Sequence, residues 1–196
     1  DTGNVIADVL FGNVCPSGKL PFTIAQRLED YPPHYLNIYD RNNTGDVVYE
    51  ESLFVGYRWF DKMGIRPLFP FGYGLSYTDF EAGPVKAGGR SLREGGSLKF
   101  RVPVKNVGKV RGAQTVQLYV RDVESSLPRP LKELKDFGKI WLEPGESGIV
   151  ELSLTDRDLR FYDDAKQKWV AEKGEFEAMF GTSSEDIFQT VKFTLK

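Results

Sequence analysis

Five stretches in the second half of the chain alternate apolar and polar residues with period two. Leu98, Phe100, Val102 and Val104 form the first, Val116, Leu118 and Val120 the second, and Val150, Leu152 and Leu154 the third. Phe176, Ala178 and Phe180, then Val191, Phe193 and Leu195, complete the set. Successive side chains on a strand point to opposite faces, so each run predicts an antiparallel strand with one buried face. Turn chemistry separates the runs at Glu94-Gly95-Gly96, Asn106-Val107-Gly108, Glu143-Pro144-Gly145 and Lys173-Gly174. Pro103 has no N–H to give to a ladder, so its run predicts an edge strand or a bulge.

About seven such strands over about 120 residues match the size of an immunoglobulin-like or fibronectin-III-like β-sandwich. The Cys-Trp-Cys framework of antibody domains is missing, because Cys15 is the only cysteine. The expected fold class is therefore mainly β, with the sandwich over residues 74–196.

Residues 1–25 carry a different pattern. Val5, Ile6, Val9 and Leu10 fall on one helical face, Thr2 can cap that helix, and Gly12 stands where a helix ends. After the turn at Pro16-Ser17-Gly18, Leu20, Phe22 and Ile24 alternate as in a strand, with Pro21 at its start. A helix and one strand are half of an α/β unit, and no parallel partner lies within the stretch. The expectation is the C-terminal tail of an α/β-sandwich domain. The start at Asp1-Thr2-Gly3-Asn4 lacks an initiator methionine and a basic leader, as expected of a cut or processed chain.

Residues 26–73 show no periodicity and are punctuated by Pro32-Pro33, Asn42-Asn43 and Gly45. Aromatics from Tyr31 to Phe71 crowd the stretch, each able to bury roughly 150–250 Å². A long irregular segment of this kind predicts an extended connector clamped between two domains.

Composition narrows the function. Apolar residues at 40% and aromatics at 13% suffice for a core and exclude disorder. A net charge of −2, with no basic stripe, gives no reason to expect nucleic acid as a partner. No run approaches the roughly 20 apolar residues of a membrane helix. A single histidine, His34, cannot build a histidine-rich metal site, and Cys15 alone makes neither a redox pair nor a metal cluster. No P-loop or GxGxxG motif occurs, and neither a metal nor a cofactor is expected. Asn42-Asn43-Thr44 is an N-glycosylation sequon at Asn42, and the expected location is extracellular, with the cytoplasm as the alternative.

Three stretches resemble glycoside hydrolase family 3 of the β-glucosidase type. Ala7-Asp8-Val9-Leu10-Phe11-Gly12-Asn13-Val14-Cys15-Pro16-Ser17-Gly18-Lys19-Leu20-Pro21 is similar to a segment near the end of that family's α/β-sandwich domain. It departs from the usual pattern at Asn13 and Cys15. Phe54-Val55-Gly56-Tyr57-Arg58-Trp59-Phe60-Asp61, then Pro67 through Phe80, resembles the lead into its C-terminal sandwich. Pro130-Leu131-Lys132-Glu133-Leu134-Lys135-Asp136-Phe137, then Leu142-Glu143-Pro144-Gly145-Glu146, is similar to a stretch of that sandwich. The resemblance implies a C-terminal structural part of a retaining β-glucosidase. The intact parent would hydrolyse terminal β-linked glucose from an oligosaccharide or β-glucoside. The family's nucleophilic aspartate and acid/base glutamate lie in N-terminal regions with no counterpart here, so the fragment itself is expected to be inactive. β-Xylosidases share these motifs, so the sugar stays open.

The residues agree. A retaining glycosidase needs two carboxyl groups about 5–5.5 Å apart. Glu50-Glu51, Asp156 with Asp158, and Asp163-Asp164 are the candidates. Adjacent side chains on an extended chain diverge, and Asp163-Asp164 reads as a solvated turn before a hairpin return at Trp169. No catalytic residue is therefore assigned. Arg58, set among aromatics, is expected to stack or to pair with a buried carboxylate. Tyr31 and Tyr35 are candidate substrate-binding residues, through a loop that could wall the leaving-group side of the parent's site. The alternative is an independent carbohydrate-binding or adhesive sandwich, suggested by the aromatics of residues 49–60.

Overall fold

The computed structural model describes residues 1–38, 45 and 48–196. The strands are β1 Phe80–Ala82, β2 Lys86–Ala87, β3 Ser91–Leu92, β4 Ser97–Asn106, β5 Gly112–Asp122, β6 Glu133–Leu142, β7 Ser147–Thr155, β8 Phe161–Asp163, β9 Lys168–Val170, β10 Gly174–Gly181 and β11 Ile187–Leu195. One sheet is built on β4, which pairs with β7 on one side and with β1 and β2 on the other. The second runs β3-β11-β10-β5-β6, and β8 and β9 form a separate hairpin. All pairings are antiparallel except β3 with β11.

The apolar positions of the five alternating runs form the space between the sheets. Leu98, Phe100, Val102 and Val104 of β4 meet Val116, Leu118, Phe176, Ala178 and Phe180 in one cluster. Phe100 and Phe180 touch edge to face across the sandwich, with ring centroids 5.1 Å apart. Removing such a buried phenyl ring costs about 3–5 kcal/mol, the lost transfer energy plus the cavity left behind.

Pro103 does not mark an edge or a bulge. It pairs with Ile149 inside the central strand β4. On its other flank the neighbouring strand is interrupted between β1 and β2, and Gly83 N–H donates to the Pro103 carbonyl at 2.8 Å. The missing proline N–H therefore faces the gap, where no ladder bond is asked of it.

The first 73 residues depart further from expectation. α1 spans Thr2–Leu10 with Asp1, not Thr2, as N-cap, and no side chain caps it. Gly12 follows in the left-handed region at φ 78°, as expected of a helix end. Leu20, Phe22 and Ile24 do not join a sheet. Their backbone pairs antiparallel with the return segment: Leu20 N–H donates to Tyr73 O and Ile24 N–H to Phe69 O, both at 2.8 Å. Thr23 and Ala25 point inward, while Phe22 stays 56% exposed. Among the described residues the connector holds a 3-10 turn at Leu28–Asp30 and two short α-helices, α2 Pro32–Tyr35 and α3 Tyr57–Met63. Glycines bound α3, Gly56 at φ 56° and Gly64 in the left-handed region at φ 63°. Trp59 and Phe60 of α3 pack with Phe54 and Ala25 into a second small core, against Tyr31 and Leu36.

Asn106 ties the two sheets of the sandwich together, from β4 to Leu142 at the end of β6. It is fully buried at the end of β4. Its Nδ2 donates to Val110 O at 2.8 Å and Leu142 O at 3.0 Å, and its Oδ1 accepts from Thr78 Oγ1 at 2.7 Å and Gly108 N at 3.1 Å. Buried groups deprived of a partner keep their full desolvation cost. Asn106→Ala should therefore lower the unfolding free energy by about 3 kcal/mol in urea denaturation, with an unchanged m-value.

Candidate functional site

The outer face of β5 carries the joint between connector and sandwich. Thr115, Gln117 and Tyr119 alternate with the inner-face residues and are buried as well. Tyr57 lies edge-on to Tyr119 at 5.8 Å and stacks on Phe71 at 5.0 Å. Its hydroxyl accepts from Leu134 N at 2.9 Å. Gln117 Nε2 donates to Gly72 O at 3.2 Å and Thr182 O at 2.8 Å, and its Oε1 accepts from the Tyr119 hydroxyl. Burial pushes the Tyr119 phenol well above its ordinary pKa, so it stays a neutral donor. Gly72 is at φ 80°, and a Cβ there would stand 2.3 Å from Gln117 Oε1. Only glycine lets the connector approach this closely.

Beside this joint lies a cluster of charges. Glu133, at the start of β6, receives Arg129 at 2.7 Å, Arg58 at 3.3 Å and Lys135 at 3.5 Å. Arg129 also bridges to Asp122 at 3.0 Å, donates to Leu159 O and lies 5.3 Å from the Phe161 ring centroid. Lys132 reaches back to Asp61 of α3 at 2.6 Å. Burial alone would raise the Glu133 pKa, but Lys135, Arg129 and Arg58 outweigh it and hold the carboxyl below its ordinary value. At Asp61 and Asp122 burial wins over the adjacent cations and the pKa rises. Lys135 is lowered by its own burial in spite of Glu133.

The cluster forms one wall of a cavity of about 690 Å³ between the connector and the β8–β9 hairpin. Arg58, Glu133 and Lys135 line one side, and Arg160, Tyr162, Asp164 and Trp169 the other. Tyr162 and Trp169 meet edge to face at 5.7 Å and remain 47% and 64% exposed.

The sequence candidates fall as follows. Arg58 does both things expected of it: it lies 6.0 Å from the Tyr57 centroid and pairs with Glu133. Tyr31 uses its hydroxyl internally, accepting from Ala25 N and donating to Thr23 O, with its ring edge-on to Phe60. Tyr35 sits edge-on to Trp59 and is 53% exposed. Asn42 lies outside the described residues. The aromatics of residues 49–60 are no open platform, for Phe54, Trp59 and Phe60 are buried and only Tyr49 is widely exposed. The paired carboxylates have structural duties. Asp156 bridges to Arg160, Asp158 accepts from Thr155 N, and Asp163 bridges to Lys166 in the turn joining β8 to β9. Glu51 is buried, and its Oε2 has no hydrogen-bond partner among the described residues. The sequence gives no functional signal for Arg129 or Glu133, since nothing local distinguishes a buried ion pair from a surface one, and it marks Trp169 only as a hairpin return.

The sign of the pH dependence follows from the directions. A carboxyl whose folded pKa is lowered stabilises the fold above its unfolded value, and that stability is lost as pH falls through the folded pKa. Asp61 and Asp122, raised, act the other way. Glu133→Gln should lower stability at pH 7 by about 3 kcal/mol, because three cations lose their shared anion. It should also flatten the loss of stability that the unaltered chain shows below pH 4.5, read by urea denaturation across a pH series.

Comparison with known proteins supplies the family. The profile described as glycosyl hydrolase family 3 C-terminal domain matches residues 1–77, and the fibronectin type III-like domain profile matches residues 114–184. A β-glucosidase of Bacteroides ovatus is 46% identical over 194 residues, covering 97% of this chain and 26% of that protein. The thermostable β-glucosidase B of Acetivibrio thermocellus is 47% identical over 185 residues, 94% of this chain and 24% of that protein. Among solved structures, a Bifidobacterium adolescentis β-glucosidase superposes with a TM-score of 0.89 at 36% identity, over 98% of this chain and 28% of that one. A Kluyveromyces marxianus β-glucosidase in complex with glucose superposes with a TM-score of 0.87 at 39% identity, over 99% and 23%. This chain spans about a quarter of the length of these relatives. It belongs to glycosyl hydrolase family 3, matching first its C-terminal domain and then its fibronectin type III-like domain.

Proposed function

We propose that this chain is the C-terminal, non-catalytic part of a retaining β-glucosidase that releases terminal β-linked glucose from oligosaccharides. The observation that carries this reading is the 46–47% identity to β-glucosidases along nearly the whole chain, over only a quarter of their length. The local chemistry supports it. A retaining pair needs one ionised nucleophile and one protonated acid across a substrate-sized gap. The candidate carboxylates Asp156, Asp158 and Asp163 instead cap turns and neutralise neighbouring cations. The work of the chain is then to hold a folded sandwich against the catalytic regions through α1 and the connector. In that longer enzyme Tyr35 is the better candidate of the tyrosine pair for contact with the leaving group, since it is exposed while the Tyr31 hydroxyl is engaged internally.

The test compares two proteins on an aryl β-glucoside. The longer gene product that contains this chain should hydrolyse it, and the 196-residue chain alone should not. Turnover by the isolated chain, or none by the longer protein on any β-glucoside, overturns the reading. In the longer enzyme, Tyr35→Ala should raise KM for bulky aglycones several-fold with kcat nearly unchanged, the pattern of lost uniform binding.

A further inference from the structure

The cavity beside the β8–β9 hairpin has no part in the reading above. Its volume of about 690 Å³ lies within the range of small-molecule sites. Its lining is of two kinds. Trp169 and Tyr162 give broad ring surface to solvent, 64% and 47% exposed, on a short hairpin. Exposed aromatics of this size normally find cover, and because Tyr162 meets Trp169 edge to face, a flat ligand can lie on the indole with the phenol ring standing beside it. Charged hydrogen-bonding groups line the same space, Arg160 and Asp164 beside the rings and Arg58 and Glu133 across from them.

Charge decides what kind of ligand suits this lining. Four cations border the space: Arg58, Arg129, Lys135 and Arg160. Glu133 and Asp164 border it too, while Asp122 and Asp156 bind Arg129 and Arg160. Four acids balance four bases, so the field favours neither an anion nor a cation. A purely apolar ligand would strip these charges of water without replacing the lost bonds. A ligand with hydroxyl groups can accept from guanidinium and donate to carboxylate, and the flat C–H face of a sugar ring can lie on an indole.

The site also stands apart from the apolar surfaces that remain open elsewhere. Cys15 approaches β5 at Gly112, which pairs with Leu142 at the far end of β6, and Ser17 accepts from Lys139. Glu133 begins that strand, six residues from Lys139, or about 20 Å at the rise of an antiparallel strand. Surfaces that α1 and Leu75 offer for cover need not obstruct the hairpin.

We propose that this cavity is a non-catalytic binding site for a neutral oligosaccharide, stacked on Trp169 beside Tyr162 and hydrogen-bonded by Arg58, Arg160 and Asp164. The site would hold a sugar chain near the enzyme rather than cleave it, and it does not depend on where hydrolysis occurs.

The chain has three tryptophans, so their indole N–H resonances report binding directly. Cello- and laminari-oligosaccharides are titrated into the 196-residue chain by NMR, with calorimetry alongside. The Trp169 resonance should shift, with a dissociation constant of about a millimolar, as expected of a shallow site with few ordered contacts. Trp169→Ala should weaken binding at least about tenfold, more than 1.4 kcal/mol. Trp169 is exposed enough for the fold to survive, which circular dichroism checks. Trp141→Ala is the control, since Trp141 is also exposed but stacks on Arg111 at 5.0 Å away from the cavity. The proposal is overturned by no shift at about ten-millimolar sugar, far above the expected dissociation constant. It is equally overturned by binding that survives Trp169→Ala, by binding that Trp141→Ala also abolishes, or by a preference for acidic over neutral sugars. None of these outcomes bears on hydrolysis by the longer protein, so the two readings fail separately.

Discussion

Strand β5 is buried on both faces, and much of the molecule is arranged to make that possible. Its inner face is ordinary: Val116, Leu118 and Val120 enter the core between the sheets. Its outer face carries Thr115, Gln117 and Tyr119, whose polar atoms cannot be left dry without partners. The connector meets that demand. Gly72 offers a carbonyl to Gln117, Tyr57 packs edge-on to Tyr119 and stacks on Phe71, and Leu134 N–H finds the Tyr57 hydroxyl. The sandwich and the preceding segment are thus complementary surfaces, joined by rings and a few directed hydrogen bonds.

What was legible in the sequence follows from the range of the forces involved. The inner-face alternation of β4, β5, β7, β10 and β11 is a local pattern, and each of its apolar positions is buried except Val191, which is half-buried against the core. Local patterns fail where the partner is distant. Pro103 reads as a sign of an edge strand or a bulge, because sequence cannot reveal that its neighbour breaks off between β1 and β2. Leu20, Phe22 and Ile24 alternate as a strand should, yet their backbone partner is a loop about 50 residues away, and Phe22 stays exposed while Leu20 and Ile24 are half-buried. α3 was hidden in aromatics because both helix ends are set by glycines rather than by capping side chains.

The candidate site shows the same division. Arg58 was legible as a joint residue, since an arginine among aromatics needs a carboxylate or a ring. The carboxylate it found, Glu133, lies 75 positions on and shares its charge with two more cations. Trp169 was noted only as the return of a hairpin. Its meaning depends on what the hairpin faces, and that is a tertiary fact. Conversely, residues 49–60 gave a strong aromatic signal for a sugar platform and turned out to be mostly core. An aromatic cluster in sequence measures how much apolar area must be covered, and the chain covers it itself where it can.

Shifted carboxyl groups often mark a catalytic centre, because general acids and bases need pKa values far from the ordinary range. Here they mark a seam. Asp61 and Asp122 are raised by burial, yet each has a cation within 3.0 Å, so neither is poised to give a proton to a substrate. Glu133 is lowered by three cations and is a poor acid for the opposite reason. A buried ion pair contributes little net stability against its desolvation cost, but breaking one half of it is expensive. Lys132 with Asp61, and Arg58 with Glu133, each span connector and sandwich, so the wrong register of the two parts would leave charges buried alone. The perturbed groups of this chain fix how its parts meet.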